Sequence, residues 1–454
     1  MRATRNWWVR RTGWLVVAGA FGIGSTLVGA GGPPAPQQPT FRSAVDLVAV
    51  DVQVVDGSGI PVGSLGPTDF EVLIGGKRRR VVSVDFVQSA PLSSVTDSTR
   101  PVTSGPTATN QWTGTNPGLG RTYVLAFDTD SFGISESRDV VGAARGFIRR
   151  LQPDDKIGLY TFPVGPRMEP TSDHAEISRL VDTIVGRSQG MIGEYNLTAS
   201  EIVDITAENS RDLSRLGSQG PGRGAATPAA AQGSAAATVA APVTTLQRVQ
   251  LRECGNFDSS CAEMIQAEAS AKAFYLEGRA TEGLNGLRAL IQLLNEEPGR
   301  KTVVMFSAGI PATDRPGGRP EVGELAKQLG RDAAATNTAI YTLHVANGPA
   351  QAMRPEQRRT DRNPVTLDRD AAVTGRLLEE FSGASGGALI RVLMGGGELA
   401  LERVLRETSS HYLLGVEPAD ADRDGKLRDL RVRVSKPGTT VRSRSWVIVP
   451  KRQA

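Results

Sequence analysis

The residues best suited to chemistry in this chain are acidic and hydroxyl side chains that follow an apolar run. Asp128, Asp130 and Ser131 come directly after Thr122–Phe127, and an amphipathic helical stretch and a second apolar run, Lys156–Phe162, follow them. This order is typical of a strand, loop, helix and strand in a parallel sheet. Because the strand ends of an open α/β sheet face a crevice, and oxygen ligands suit a hard cation, the sequence predicts a ligand site at this loop.

Periodicity divides the rest of the 454-residue chain into regions that must position this loop. Residues 44–87 alternate apolar positions between glycine turns, which indicates a small antiparallel β domain. Residues 88–120 are rich in Ser, Thr, Pro and Gly and are predicted to be a linker. Apolar runs and helical stretches alternate over 121–395, which indicates an α/β domain, and period two returns over 409–450.

The two β segments are too short to cover a core separately. About three strands on each side suggest one sandwich-like domain with the α/β domain inserted between its halves. The alternative is that the tail, residues 409–450, extends the α/β sheet or packs on its helices.

A low-complexity insertion at about 187–262 interrupts the α/β pattern. Its stretch 218–242 is dominated by Ala, Gly, Pro and Gln, so we expect most of the insertion to be mobile. The two cysteines of the chain, Cys254 and Cys261, lie at its end. Their spacing suits a local disulfide in an exported protein, and two unpaired thiols are the alternative.

The N-terminus has the order of an export signal. Four arginines precede an apolar run and the small residues Val28-Gly29-Ala30, so we expect residues 1–30 to be a signal peptide and 31–43 a spacer. An uncleaved signal that anchors the chain in a membrane is the alternative. Without these four arginines the chain has 48 basic and 48 acidic residues, which excludes the electrostatic footprint of a nucleic-acid binder. The expected location is secreted or periplasmic.

Several separate motifs together suggest a family. Asp69-Phe-Glu-Val72, the strand ending at Asp128, the run Gly299–Gly309 and Tyr412-Leu-Leu-Gly415 resemble exported bacterial "VWFA-related" proteins, which carry a von Willebrand factor type A domain. The resemblance implies a doubly wound, mostly parallel, Rossmann-like sheet. It also implies a binding or scaffold function.

Type A domains bind a metal ion through oxygens from three loops, and the resemblance implies a degenerate version here. Asp128 matches the first Asp of the family's Asp-x-Ser-x-Ser, whereas Asp130 and Phe132 replace its two serines. Thr281 corresponds to the conserved threonine. A Ser-Ala-Gly beginning at Ser307 replaces a motif with a central Asp, although Asp314 follows a few residues later. The resulting set for Mg²⁺ or Ca²⁺ contains Asp128, Asp130, Ser131, Thr281 and Ser307; the alternative is a polar crevice without an ion.

Three other motifs have simpler interpretations. Asp420–Gly425 copies the start of a calcium loop, but Arg431 stands where a bidentate Glu belongs, so a hairpin turn is favoured. The run Lys77–Arg80 is either a binding patch or the solvated end of a hairpin. Gly383–Gly387 fits the Gly-x-Ser-x-Gly pattern of hydrolases, but a helix precedes Ser385, so a glycine-rich helix end is favoured.

The expected function is non-catalytic binding of an unknown protein or cell-surface ligand at the strand ends. No catalytic residue is assigned, because neither a positioned base nor a credible nucleophile accompanies the acidic loop. A hydrolase that uses Asp128 and Asp130 is the second hypothesis. A structural envelope component without an open site is the third.

Overall fold

Two β-sheets and eight α-helices make up the part of the chain that the computed structural model describes, residues 47–88, 120–188, 193–218, 243–345, 364–392 and 396–451. The predicted signal and spacer, most of the linker and the Ala-rich residues 219–242 lie outside these ranges. The strands are β1 Val48–Val55, β2 Phe70–Ile74, β3 Lys77–Gln88, β4 Thr122–Asp128, β5 Lys156–Phe162, β6 Arg167–Thr171, β7 Lys301–Ser307, β8 Thr338–Val345, β9 Ala388–Val392, β10 Ser410–Glu417, β11 Leu427–Val434, β12 Thr440–Ser443 and β13 Trp446–Ile448. The helices are α1 Ile134–Ile148, α2 His174–Val181, α3 Ala199–Ser218, α4 Thr245–Cys254, α5 Ser259–Leu293, α6 Gly323–Ala335, α7 Pro364–Ser385 and α8 Gly397–Glu407.

The six-stranded sheet has the order β6-β5-β4-β7-β8-β9. Its pairs are parallel except for β6, an antiparallel edge strand that the sequence pattern did not reveal. Every residue of the central strand β4 is buried. Its alternate residues Tyr123, Leu125 and Phe127 join an apolar cluster with α1, α2 and α8, whereas Val124 and Ala126 join a second cluster with α5, α6 and α7. Both faces of this sheet are therefore covered by helices, which explains the continuous apolar runs.

The seven-stranded sheet is antiparallel and has the order β12-β1-β10-β3-β2-β11-β13. Strands from both predicted β segments alternate in it: β1 pairs with β10 and β12, and β2 pairs with β11. The expected pairing of the two segments is thus confirmed. The long strand β3 pairs with β2 through Lys77–Arg79 and with β10 through residues 80–88, so one curled sheet replaces the expected sandwich of two sheets. Its alternating apolar residues enclose the sheet's own core.

The predicted insertion contains ordered helices, so the expectation of a mostly mobile segment is wrong for its described parts. Helix α3 packs with α4 and the first half of α5 around a small apolar cluster that includes Ile202, Val249 and Ile265. The Glu208 carboxylate accepts hydrogen bonds from the first two backbone N–H groups of α4, those of Thr245 at 2.9 Å and Leu246 at 3.1 Å. Such capping stabilises a helix start that has no intrahelical partner.

The two cysteines form a disulfide, as expected, although not within an irregular segment. Cys254 is the last residue of α4 and Cys261 lies in the first turn of α5. The bond therefore joins two consecutive helices at their connection.

Helix α8 extends the α/β core beyond residue 395, the predicted end of that domain. Its buried residues Leu401, Val404 and Leu405 belong to the same apolar cluster as Val140 and Phe147 of α1. A unit that contains the whole α/β core therefore continues to the start of β10.

Candidate functional site

Asp128 and Ser307 meet at the carboxyl end of the parallel sheet, as the sequence predicts. Strands β4 and β7 are parallel neighbours in register, with Phe127 opposite Phe306, so the residues that end them lie side by side. The Ser307 hydroxyl donates a hydrogen bond to Asp128 Oδ2 at 2.8 Å, and both side chains are buried. The backbone N–H of Gly309 donates to Ser307 Oγ at 3.1 Å. This arrangement holds the end of β7 against the end of β4.

Ser131 joins the same pair of strand ends through the backbone. Its hydroxyl donates to the carbonyl oxygen of Asp128 at 2.8 Å and accepts the N–H of Ala308 at 2.9 Å. On the other side of β4, the N–H and hydroxyl of Thr129 both donate to the carbonyl of Phe162, at 3.1 Å each. The hydroxyl groups of this loop therefore connect β4 to both of its neighbours.

Burial dominates the electrostatics of Asp128. Removal from water raises the pKa of the Asp128 carboxyl to about 6, although the Ser307 hydrogen bond and the positive charge of Arg279 act in the opposite direction. A carboxylate in a dry site is costly unless polar groups and positive charge compensate it. Here a hydroxyl and an arginine of the same chain supply that compensation.

Two arginines contact the loop at Asp130. Arg279, on α5, donates a hydrogen bond to the carbonyl oxygen of Asp130. Arg187 lies with its Nε 3.9 Å from the Asp130 carboxylate, and its side chain is half exposed. Neither arginine belongs to a recognisable motif, so the sequence did not predict their place at the loop. Their distance along the chain from Asp130 leaves no local signal.

Thr281 forms no hydrogen bond with the other predicted site residues among the residues that the structure describes. It lies on α5, is half-buried and forms no side-chain hydrogen bond with another described residue. Phe132, which replaces the second serine of the family pattern, is fully buried in the apolar cluster of α1. The structure thus brings together Asp128, Asp130, Ser131 and Ser307, while Thr281 supplies no observed contact to them.

These residues do not fit a Mg²⁺ or Ca²⁺ ion. Such ions need several free oxygen ligands, whereas Ser131 and Ser307 both hold the strand ends together and guanidinium groups lie at Asp130. No group of three or more His, Cys, Asp or Glu side chains suited to a metal occurs among the described residues. Asp314, the additional carboxylate that the sequence offered, is paired with Arg369.

The calcium-like segment Asp420–Gly425 is an ion-paired turn. Asp422 is buried, and its carboxylate accepts hydrogen bonds from Arg79 Nε at 2.6 Å and Nη2 at 2.8 Å. The segment is a turn, since residues 420–422 form one 3₁₀ turn before β11. It is not the predicted hairpin, because the strands on its two sides, β10 and β11, are not neighbours in the sheet. The basic run Lys77–Arg80 was expected to be a binding patch or the solvated end of a hairpin. Two of its four residues are paired within the protein: Arg79 with Asp422, and Arg80 with Glu417 at 2.8 Å.

The Gly-x-Ser-x-Gly segment is a helix end, as favoured. Helix α7 ends at Ser385, and Gly386 has a φ of +87°, the left-handed conformation that glycine adopts most easily. The Ser385 hydroxyl donates to the carbonyl of Ser382 and accepts the N–H of Ile340. Both roles are structural, so this serine is not presented as a nucleophile.

Exposed apolar residues surround the acidic loop. Ile134 follows the acidic loop, Val164 follows β5 and Val185 follows α2, and these side chains are 70%, 62% and 51% exposed. The backbone brings Ile134 and Val185 together, because Gly186 packs so tightly on the carbonyl of Phe132 that a Cβ there would lie 2.4 Å from it. We call Asp130, Ile134, Val164, Val185 and Arg187 the carboxyl-edge surface.

No family model matches this chain, and no curated protein matches it. Within the described ranges, no helix is both long and apolar enough to cross a bilayer.

Proposed function

We propose that this chain is an exported binding protein that recognises a partner protein at the carboxyl-edge surface without a divalent cation. Its α/β core is, in this proposal, a doubly wound type A-like domain. The observation that carries the proposal is the exposed apolar and charged carboxyl-edge surface, held in place by the buried Asp128–Ser307 pair.

The sheet supports the type A-like assignment. Its order, β6-β5-β4-β7-β8-β9, places the central strand β4 between parallel neighbours, and apolar clusters cover both faces. Ligands of open α/β sheets bind outside the carboxyl ends of the strands. The carboxyl-edge surface occupies that position.

The chemistry of the surface suits a protein partner. Protein interfaces combine apolar side chains with arginine, as the carboxyl-edge surface does. Arg187 is half exposed, so its guanidinium can pair with a partner carboxylate while it remains near Asp130. Arg279 gives the loop the positive charge that a cation provides in the family that this chain resembles.

The same geometry gives less support to hydrolysis. The buried Asp128 carboxylate accepts a hydrogen bond from the Ser307 hydroxyl, and His344 Nε2 lies 3.1 Å from the carbonyl oxygen of Ala308. No described histidine or lysine is hydrogen-bonded to a serine at these strand ends. A base aligned with a nucleophile, the arrangement that acyl transfer needs, is therefore not observed among them.

The disulfide supports export. Cys254–Cys261 is closed, and structural disulfides persist in oxidising compartments. This agrees with the export signal expected at residues 1–30. A secreted or periplasmic location is therefore part of the proposal.

A capture experiment with matched variants tests this function. The mature chain, immobilised and exposed to envelope and secreted fractions, is expected to retain a partner in the presence of EDTA. Ile134→Asp and Arg187→Glu are each expected to reduce retention at least tenfold, about 1.4 kcal/mol, because they place charge or repulsion at the centre of the surface.

Leu399→Asp is the matched control. Leu399 lies on α8 and is 74% exposed. The preceding residue, Glu398, contacts Gly146 at the C-terminal end of α1, whereas Ile134 begins that helix, so Leu399 lies away from the carboxyl-edge surface. Full retention by this variant supports the carboxyl-edge surface. Equal loss in all three variants, or complete loss with EDTA, contradicts the proposal.

A further inference from the structure

A small polar cavity lies where the two sheets approach each other. Its lining includes Asp51 of β1, Arg300 before β7, Asn337 before β8 and Arg444 after β12. Ser385 and Ser443 also line it. The cavity has room for about one water-sized group, which also corresponds to a small monatomic ion.

Two of the lining groups have hydrogen-bonding capacity that the protein leaves unused. Arg444 donates to the carbonyl oxygens of Ala49, at 2.8 Å, and Ala334, at 3.3 Å, but its Nε is buried without a partner. Arg300 forms no hydrogen bond or ion pair with any described residue. Since buried donors are nearly always satisfied, the buried and unpaired Nε–H of Arg444 indicates a missing acceptor, and the half-buried Arg300 can share it.

The acidic group of the cavity does not supply that acceptor. Asp51 Oδ2 accepts a hydrogen bond from the Asn337 amide at 2.8 Å, and its Oδ1 lies 3.6 Å from His411 Nε2. No ion pair within 4 Å joins Asp51 to Arg300 or Arg444. Its carboxylate therefore serves the asparagine and lies beside the histidine.

The local charge is positive. Arg300 and Arg444 line the cavity. Burial and the charge of Arg300 lower the pKa of Arg444, and lower that of His411 to about 4, although Asp51 acts in the opposite direction on both. His411 is thus neutral at pH 7. Two guanidinium charges then face the single carboxylate of Asp51, so a small anion would neutralise the cavity.

We propose that this cavity is a binding site for one small monovalent anion of the halide class, held by Arg300 and Arg444 between the two sheets. A water molecule would accept the hydrogen bond of Arg444 Nε but would not neutralise the positive charge of the two arginines. Phosphate and sulfate are larger than the cavity. The bound halide would join a loop of the α/β core to the C-terminal strands, and would therefore stabilise the union of the two sheets.

Thermal unfolding of the mature chain in sodium chloride and in sodium gluconate, at equal ionic strength, tests the site. A ligand that binds the folded state raises Tm with concentration, so we expect a tenfold increase in chloride above its Kd to raise Tm by about 2 °C, while gluconate has no such effect. Bromide is expected to replace chloride. In crystals grown with bromide, an anomalous peak is expected between Arg300 and Arg444.

Arg300→Gln and Arg78→Gln form a matched pair of variants. Both remove one arginine charge, but Arg78 is exposed on β3, with its side chain 73% accessible. Loss of the chloride response in Arg300→Gln and its retention in Arg78→Gln support the site. Identical Tm in chloride and gluconate, an undiminished response in Arg300→Gln, or bromide density elsewhere only, overturns it.

Discussion

At the scale of single residues, Asp128 determines how the protein responds to pH near its candidate site. The folded protein binds the Asp128 proton more tightly than the unfolded chain does, because burial raises the pKa from 3.8 to about 6. Stability from this group is therefore highest below pH 4 and falls as pH rises to about 6. Above about pH 6 the ionised Asp128 carboxylate destabilises the folded state.

Replacing Asp128 with Asn is expected to remove this pH dependence. The amide has nearly the same shape, and its oxygen can still accept the Ser307 hydrogen bond, but it does not ionise. The free energy of unfolding of Asp128→Asn minus that of the wild type is expected to rise by about 2 kcal/mol between pH 4 and pH 6.5, and then to level off. Urea unfolding at several pH values measures it.

Two buried histidines contribute to the pH dependence of both the wild type and the variant. Burial also lowers the pKa of His344 and His411, so protonation of these residues in the unfolded chain destabilises the wild type as pH falls. Both proteins carry these histidines, and their contributions cancel. A difference that is flat between pH 4 and pH 6.5 would show that Asp128 ionises with an ordinary pKa.

At the scale of elements, α5 connects two separate apolar cores. Its first half packs Ile265, Ala269 and Ala273 against α3 and α4, and its second half packs Leu284 and Leu287 against the six-stranded sheet. One 35-residue helix thus carries the added helices on the α/β core. The disulfide lies at the end of this helix that is farther from the sheet.

Removal of the disulfide is expected to loosen the added helices without unfolding the α/β core. The bond closes a short loop, so the double variant Cys254→Ser, Cys261→Ser is expected to lose about 2 kcal/mol of stability. Hydrogen exchange is expected to accelerate in α4 and the first turns of α5. The strands β4 and β7 are expected to keep their protection, because another apolar cluster surrounds them.

Dithiothreitol treatment of the wild type provides the control for that variant. It should reproduce the faster exchange if the bond, and not the serine side chains, is responsible. Faster exchange across β4 and β7 as well would indicate that the helices and the sheet unfold as a single unit.

At the scale of the whole molecule, the α/β core interrupts the antiparallel sheet in sequence but not in space. The strands before and after it pair directly, as between Val52 of β1 and Ser443 of β12. The interface between the sheets includes the hydrogen bond from Tyr341 to Gln53, at 2.6 Å. The core is therefore the part expected to fold alone when excised, since its own apolar clusters are complete.

Two fragments are expected to differ in stability because of α8. Residues 120–409 retain Leu401, Val404 and Leu405 against α1, whereas residues 121–395 lack these three buried side chains. Burial of each such side chain contributes about 1.5 to 3 kcal/mol, so the longer fragment is expected to be more stable by roughly 5 kcal/mol. Guanidinium unfolding followed by circular dichroism compares them.

If residues 120–409 unfold cooperatively and residues 121–395 do not, α8 is part of the core. Equal midpoints would show that α8 contributes little. Failure of both fragments to fold would indicate that the core requires the antiparallel sheet.

The sequence by itself determined most of the strands, though not β6, and the loop at which the central strands converge. Period-two and continuous apolar patterns are local, so Val48–Val54, Thr122–Phe127 and Lys301–Phe306 could be identified without a fold. The position of Asp128 at a strand end followed from the same pattern. The mixed α/β class and the pairing of the two β segments were likewise predictable, because few arrangements cover so many half-apolar strands.

The tertiary structure alone decided which charges meet. Arg279 contacts Asp130 across 149 residues of sequence, and Arg79 pairs with Asp422 across 343. It also decided that α3 and α4 are ordered, since their apolar faces are stabilised mainly by packing on α5 rather than by their own propensity. Pairings between distant charges depend on chain topology, which no local pattern contains, and they determine whether the acidic loop faces a metal ion or an arginine.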